Sequence, residues 1–129
     1  MPIGGEIALT QKAEGGAINA DLAVIQGTNA DQVKLPAAAG DRAKGITALK
    51  ADAAGKATPV IIMGPAVATA AAAIAAGKFV KVAGATGKLQ EVGGETGGAT
   101  VEVVGISLTA AAADGDKFDL VVVPFRYTA

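Results

Sequence analysis

The feature that most constrains this chain is a match between its two halves. Gly45-Ile46-Thr47, followed by Ala51, Ala53, Gly55 and the run Val60-Ile61-Ile62-Met63, corresponds to Gly105-Ile106-Ser107, Ala111, Ala113, Gly115 and Leu120-Val121-Val122-Val123. The offset is constant, because 105 − 45 and 120 − 60 both equal 60. Upstream, Ile18-Asn19-Ala20 before Val24 matches Ile74-Ala75-Ala76 before Val80 at an offset of 56, so the second half carries four extra residues. The Gly-rich segment Gly93-Gly94-Glu95-Thr96-Gly97-Gly98 is the natural place for them. Two copies of one unit, over 17–65 and 73–125, would bury their apolar faces against each other and form a pseudo-twofold barrel or sandwich. The competing reading is coincidence, since an Ala/Gly/Val-rich sequence produces chance matches.

The unit is a β unit. Ala23–Gln26, Pro59–Met63, Phe79–Val82, Thr100–Val104 and Phe118–Pro124 are short apolar runs rich in β-branched residues, a length that suits strands better than helices. Weaker candidates are Glu6–Thr10, Gln32–Leu35, Gly45–Leu49, Lys88–Val92 and Gly105–Leu108, each bounded by Gly, Pro, Asp or Asn. The fold class expected is all-β, a small barrel or sandwich of two similar halves with at most one or two short helical turns. Ala70–Ala76 and Ala110–Ala113 are where alanine's propensity allows such a turn, with an extended or irregular segment as the alternative.

Residues 1–16 precede the repeat and read as an N-terminal arm, leaving 17–129 as a single β domain. Gly4-Gly5 and Gly15-Gly16 flank one alternating segment, Glu6–Thr10. That segment either adds a strand to a neighbouring subunit's sheet edge or forms the first strand of its own sheet; the sequence leaves both open.

Composition narrows function. The 129 residues suit one domain. Eleven basic against twelve acidic residues, interspersed, give no basic stripe, and only Phe79, Phe118, Phe125 and Tyr127 are aromatic. Nucleic-acid binding is not expected. Cysteine and histidine are absent, which removes thiolate and imidazole metal ligands and the commonest general base. The alanine-rich stretch Ala66–Ala76 is far shorter than the ~20 apolar residues that span a bilayer, so no membrane segment is expected. The N-terminal sequence has no basic region leading into an apolar one, and no secretory signal is expected.

Motifs with chemical meaning are weak. Gly84-Ala85-Thr86-Gly87-Lys88 resembles a phosphate-binding loop, but Val82 and Leu89 stand where Gly and Ser/Thr are required, and a hairpin turn is the better reading. Asp114, Asp116 and Asp119 lack the spacing and closing Glu of a calcium loop. A small carboxylate-dependent hydrolase would need convergent acids, and nothing places Glu91, Glu95 or Glu102 in a cleft. Ser107, the only serine, has no histidine to activate it. No catalytic, cofactor-binding or metal-binding residue is assigned, and the chain is not expected to be an enzyme.

Several segments nevertheless carry a resemblance. Ala73-Ile74-Ala75-Ala76-Gly77-Lys78-Phe79-Val80, a Gly-rich hairpin ending Gly87-Lys88-Leu89, Val104-Gly105-Ile106-Ser107, and Ala110-Ala111-Ala112-Ala113-Asp114-Gly115 together resemble phage capsid cement, or head decoration, proteins over about residues 18–125. The resemblance implies a structural protein of the virion, made in the host bacterial cytoplasm and bound to the outside of the assembled head. There it would sit as a homotrimer at three-fold and quasi-three-fold positions and clamp neighbouring major capsid subunits. It implies no cofactor. The longer N-terminal region departs from short members of the family. A β-barrel module of a phage tail, fibre or baseplate, or another surface-binding structural protein, is the alternative. Interface residues expected on the arm and at loop tips are Ile3, Ile7, Leu9, Gly93, Glu95 and Gly98, with Tyr127 near the C-terminus as an anchor.

Overall fold

The computed structural model describes residues 5–129. Nine strands form in chain order: β1 (Ile7–Ala13), β2 (Ala23–Gln26), β3 (Gln32–Lys34), β4 (Gly45–Thr47), β5 (Ala57–Thr69), β6 (Phe79–Val82), β7 (Leu89–Glu91), β8 (Thr100–Ser107) and β9 (Lys117–Thr128). No helix occurs among the described residues. Every expected strand overlaps one of these, with ends that differ by one to a few residues. Thr100–Val104 and Gly105–Leu108 merge into β8, and Pro59–Met63 is only the middle of β5.

Strands β1, β3, β2, β4 and β5 form a closed ring, with β1 antiparallel to β5 on one side and parallel to β3 on the other. Closure removes the free edges that an open sheet would present. Of the two pairings the sequence left open for the segment around Ile7 and Leu9, the structure has the one within the chain. The second half repeats the arrangement. The run Gly64–Thr69 of β5 pairs with β9, then β8, β6 and β7 follow, and a parallel bridge between Ala70 and Leu89 brings the two ends together.

The two halves agree pair by pair. Ala23 faces Ile46 as Phe79 faces Ile106, and Ile46 faces Ile61 as Ile106 faces Val121. The lone bridge Ile18–Ala51 recurs as Ile74–Ala111. Inside the first barrel Ala13, Ile18, Val24, Val33, Ala51 and Val60 form the core, and their counterparts Ala70, Ile74, Val80, Leu89, Ala111 and Leu120 line the second. The equivalence reaches further upstream than the sequence match: β1 corresponds to residues 64–70, with Ala13 bonded to Lys56 as Ala70 is bonded to Asp116. Gly15-Gly16 supply the extra residue that changes the offset from 57 in the strand to 56 beyond it.

Strand β5 therefore serves both barrels, ending the first at Met63 and beginning the second at Gly64. Gly64 sits at φ +101, and a side chain there would meet the backbone of Gly5 and Glu6 at 2.7 Å. Only glycine combines that conformation with that approach. Ala70–Ala76 and Ala110–Ala113 form no helical turn and take the extended or irregular alternative, because Ala70, Ile74 and Ala111 are pinned by bridges inside the second barrel. Tertiary pairing outweighs alanine's helix propensity there.

One polar device is built into each copy. The buried Thr47 hydroxyl donates to the Asn19 carbonyl (2.8 Å) and accepts from the Leu22 N–H (3.2 Å). Ser107 donates to the Ala75 carbonyl (2.7 Å) and accepts from the Lys78 N–H (3.0 Å). Each hydroxyl fixes the turn that leads into the second strand of its copy, at Asp21 (φ +64) and Gly77 (φ +79). Thr47→Val, which keeps the shape and removes both bonds, is expected to cost ~2 kcal/mol, and Thr47→Ser less than half of that, in urea unfolding. Equal costs for the two variants would show that packing, not the hydroxyl, holds the turn.

Candidate interaction surface

The polar groups that suggest chemistry are committed to structure. Ser107 is occupied as a turn staple. Glu102 lies between Arg126 (2.7 Å) and Arg42 (3.5 Å), Glu95 pairs with Lys81 and accepts the Gly93 N–H, and Glu91 accepts the Ala75 N–H at 2.7 Å. The Arg126 hydrogen bond holds the Glu102 carboxyl below the usual carboxylate range, and the Lys81 hydrogen bond does the same for Glu95. A general acid needs the opposite shift. Asp116 accepts the N–H groups of Ala112 and Ala113, both at 3.1 Å, in a local turn. Asp114 pairs with Lys88 at 2.8 Å.

The segment Gly84–Lys88 is the β6–β7 hairpin turn, closed by the Ala83 N–H on the Lys88 carbonyl (2.9 Å). Gly87 has φ +80, and a side chain there would strike the Ala23 carbonyl of the first barrel at 2.8 Å. Its glycine is thus a packing requirement.

Depressed carboxyl values set a pH dependence. A carboxyl whose folded pKa lies below its unfolded value adds stability above the unfolded value, about 4.3 for Glu, and loses it as pH falls through the folded one. Glu14, Glu95 and Glu102 all carry this sign. The melting temperature is expected to be flat from pH 7 to 5 and to fall below about pH 4, with a smaller fall in Glu95→Gln. A Tm that rises on acidification would contradict the assignment.

Large apolar side chains are also exposed. Ile7, Leu9 and Met63 lie at the start of β1 and the middle of β5, with Ile7 directly opposite Met63. Phe79, Val123 and Phe125 lie on the second barrel. Here the copies diverge. β8 begins at Thr100, directly after the Gly-rich insert, and its first residues pair with the end of β9: Val103 with Phe125, Glu102 with Arg126, Val101 with Tyr127. The first copy has no such ribbon, since β4 starts at Gly45. Phe79 meets Phe125 edge-on, with ring centroids 5.3 Å apart, and Phe125 lies 6.3 Å from Tyr127. Three of the four aromatics thus cluster where the second copy is elaborated, while Phe118 is core.

No protein-family model matches the chain, and no curated protein does. A solved structure does. The head fiber gp8.5 N base in bacteriophage phi29 superposes with a TM-score of 0.66 over 92% of this chain and 94% of that one, at 16% identity. The two share a fold. At that identity the likeness speaks to the architecture of the whole chain, both barrels included, and not to individual residues.

The expected interface residues fall into two groups. Ile3 lies outside the described residues. Ile7 and Leu9 are on the first barrel, both exposed, with Leu9 opposite Val60. Gly93 and Gly98 are exposed in the insert, where the Gly98 N–H donates to the Ala129 carbonyl at 2.8 Å and so lies beside the strand end that carries the half-buried Tyr127. Glu95 is turned to Lys81. Sequence reasoning missed Met63, Phe79, Val123 and Phe125. A signal existed for Phe79, because the repeat places it where the first copy has Ala23.

Proposed function

We propose that this chain is a phage head decoration protein that binds the outer surface of the assembled capsid and clamps neighbouring major capsid subunits. The observation that carries the reading is the near end-to-end likeness of fold to a head fiber base. It is supported by a scaffold in which Glu91, Glu95, Glu102 and Ser107 are engaged in internal bonds. The partners in this reading are the major capsid protein and other copies of the chain, as a homotrimer at three-fold and quasi-three-fold positions. Ile3, Ile7, Leu9, Gly93, Glu95, Gly98 and Tyr127 are the proposed contacts. Made in the host cytoplasm, the protein would act by mass action. A ligand that binds only the assembled lattice stabilises it by RT ln(1 + [L]/Kd) at each site, and many sites add. No catalytic step is involved.

That the neighbour is the base of a fiber favours a second reading, in which this β unit anchors a fibre. Co-sedimentation separates both from a tail or baseplate role. The purified chain is expected to pellet with tailless heads and to raise the temperature at which they release DNA. Pelleting with isolated tails and not with heads would transfer the assignment to the tail.

A further inference from the structure

The contact between the two barrels is asymmetric, and its unused halves are exposed. Ala23, Ile46 and Ile61 are neighbours on three adjacent strands, and they point out of the first barrel. All three are buried, in one continuous core with Ala66, Ala68, Val82, Val104 and Val122 of the second barrel. Ala66, Ala68, Val82 and Val122 share the face of their strands that carries Ala70, Val80 and Leu120, in a barrel that β5 and β7 close at only one bridge, Ala70–Leu89. The outer face of one barrel thus packs against that face of the next. Ala23 N–H on the Gly87 carbonyl (2.8 Å) and Gly40 N–H on the Val82 carbonyl (2.9 Å) join the two.

The repeat shows where the same surfaces recur without a partner. The counterparts of Ala23, Ile46 and Ile61 are Phe79, Ile106 and Val121, again adjacent on three strands, with Phe79 44% exposed and Ile106 and Val121 only half-buried. The counterparts of Ala66, Ala68, Val82, Val104 and Val122 are Leu9, Gln11, Gln26, Lys44 and Ile62. Leu9 is 41% exposed with Ile7 and Met63 beside it, and Lys44 reaches across to the Gln11 side chain at 2.6 Å. Of the eight large apolar residues exposed in the described chain, Ile7, Leu9 and Met63 lie along the β1–β5 pairing of the first barrel, and Phe79, Val123 and Phe125 lie on β6 and β9 beside that outer face. Exposed apolar patches of this kind mark interaction sites.

We infer that copies of this chain associate head to tail, the Phe79–Ile106–Val121 face of one second barrel seating on the Leu9 side of the next chain's first barrel, as the first barrel seats on the second within the chain. This rests on the self-association in the proposed function and names its surfaces. The occupant is a second copy because the chain already carries the matching partner for each surface, and because exposed apolar side chains stand at both. Leu9 and Phe79 are larger than Ala66 and Ala23, so this contact holds the barrels further apart than the internal one. An interface between two different patches is heterologous, so an open assembly keeps one free donor and one free acceptor until a ring closes.

That property supplies the test. Leu9→Glu disables the acceptor and Phe79→Glu the donor, both at exposed positions, with circular dichroism and Tm checking that each variant folds. By sedimentation and light scattering the wild type is expected to assemble and each variant to be monomeric. Mixing the two variants is expected to give a dimer and nothing larger, since one sound donor meets one sound acceptor. A wild type that stays monomeric at its solubility limit, or variants that assemble as the wild type does, or a mixture that stays monomeric, would overturn the inference. Head binding is measured separately: assembly without head binding fails only the decoration reading, and head binding by a monomer fails only this one.

Discussion

Gly105→Ala should lower the stability of this protein by ~3 kcal/mol, at the upper end of the usual cost of overpacking. Gly105 faces Val122 across β8 and β9, and a β-carbon there would fall well under 3.0 Å from the Val121 carbonyl oxygen. Backbone, not a movable side chain, occupies the space, so the strands themselves must part. Gly45 repeats the situation sixty residues earlier, with the Ile61 carbonyl and the Val60 side chain (2.7 Å) in the way. Neither needs a left-handed conformation; the requirement is close approach. Gly45→Ala is expected to cost about as much as Gly105→Ala, and Gly93→Ala, which meets nothing within 4 Å, to stay within about 0.5 kcal/mol of wild type. Urea unfolding of the three variants decides it. A Gly105→Ala variant as stable as Gly93→Ala would mean that the β8–β9 approach is not as close as described.

The second large effect is expected at Phe118. It is 2% exposed, faces Ala68 across β5 and β9, and fills much of the space that the small side chains of Ala66, Ala68 and Ala70 leave inside the second barrel. Phe118→Ala is expected to cost ~4 kcal/mol, since the alanines around the cavity cannot extend to fill it. Phe125→Ala removes the same atoms from a surface position and is expected to cost less than about 1 kcal/mol, while weakening association between copies. Thermal unfolding of both variants, with association measured on Phe125→Ala, checks the pair. Comparable losses at the two sites would place Phe125 in the core and remove it from the interaction surface.

Much of this architecture is legible in the residues. The β-branched runs mark their strands because those side chains pack on a pleated surface, and the constant offset of 60 is realised as equal registers in β4–β5 and β8–β9. Two things escape. The stretch from Gly64 to Thr69 carries Gly, Pro and alanines and shows no strand signal, yet it is the first strand of the second barrel. It is extended because Val122, Leu120 and Phe118 pair with it, a reason that lies fifty residues away. Without that strand the role of β1 is obscured too, and Ile7–Ala13 looks like part of an arm when it is the first copy's equivalent of residues 64–70. The proposed interaction surface is half visible. Ile7, Leu9 and Tyr127 stand out as lone large side chains at the chain's ends, whereas Phe79 and Phe125 look like ordinary strand residues until the barrels show which faces are already covered.

The central claim, that this double barrel decorates a phage head, is tested most directly by cryo-electron microscopy of heads assembled from the major capsid protein of the same phage and incubated with the purified chain. Added density the size of paired barrels at the three-fold and quasi-three-fold positions of the outer surface is the expected result. Bare heads at saturating protein would contradict it.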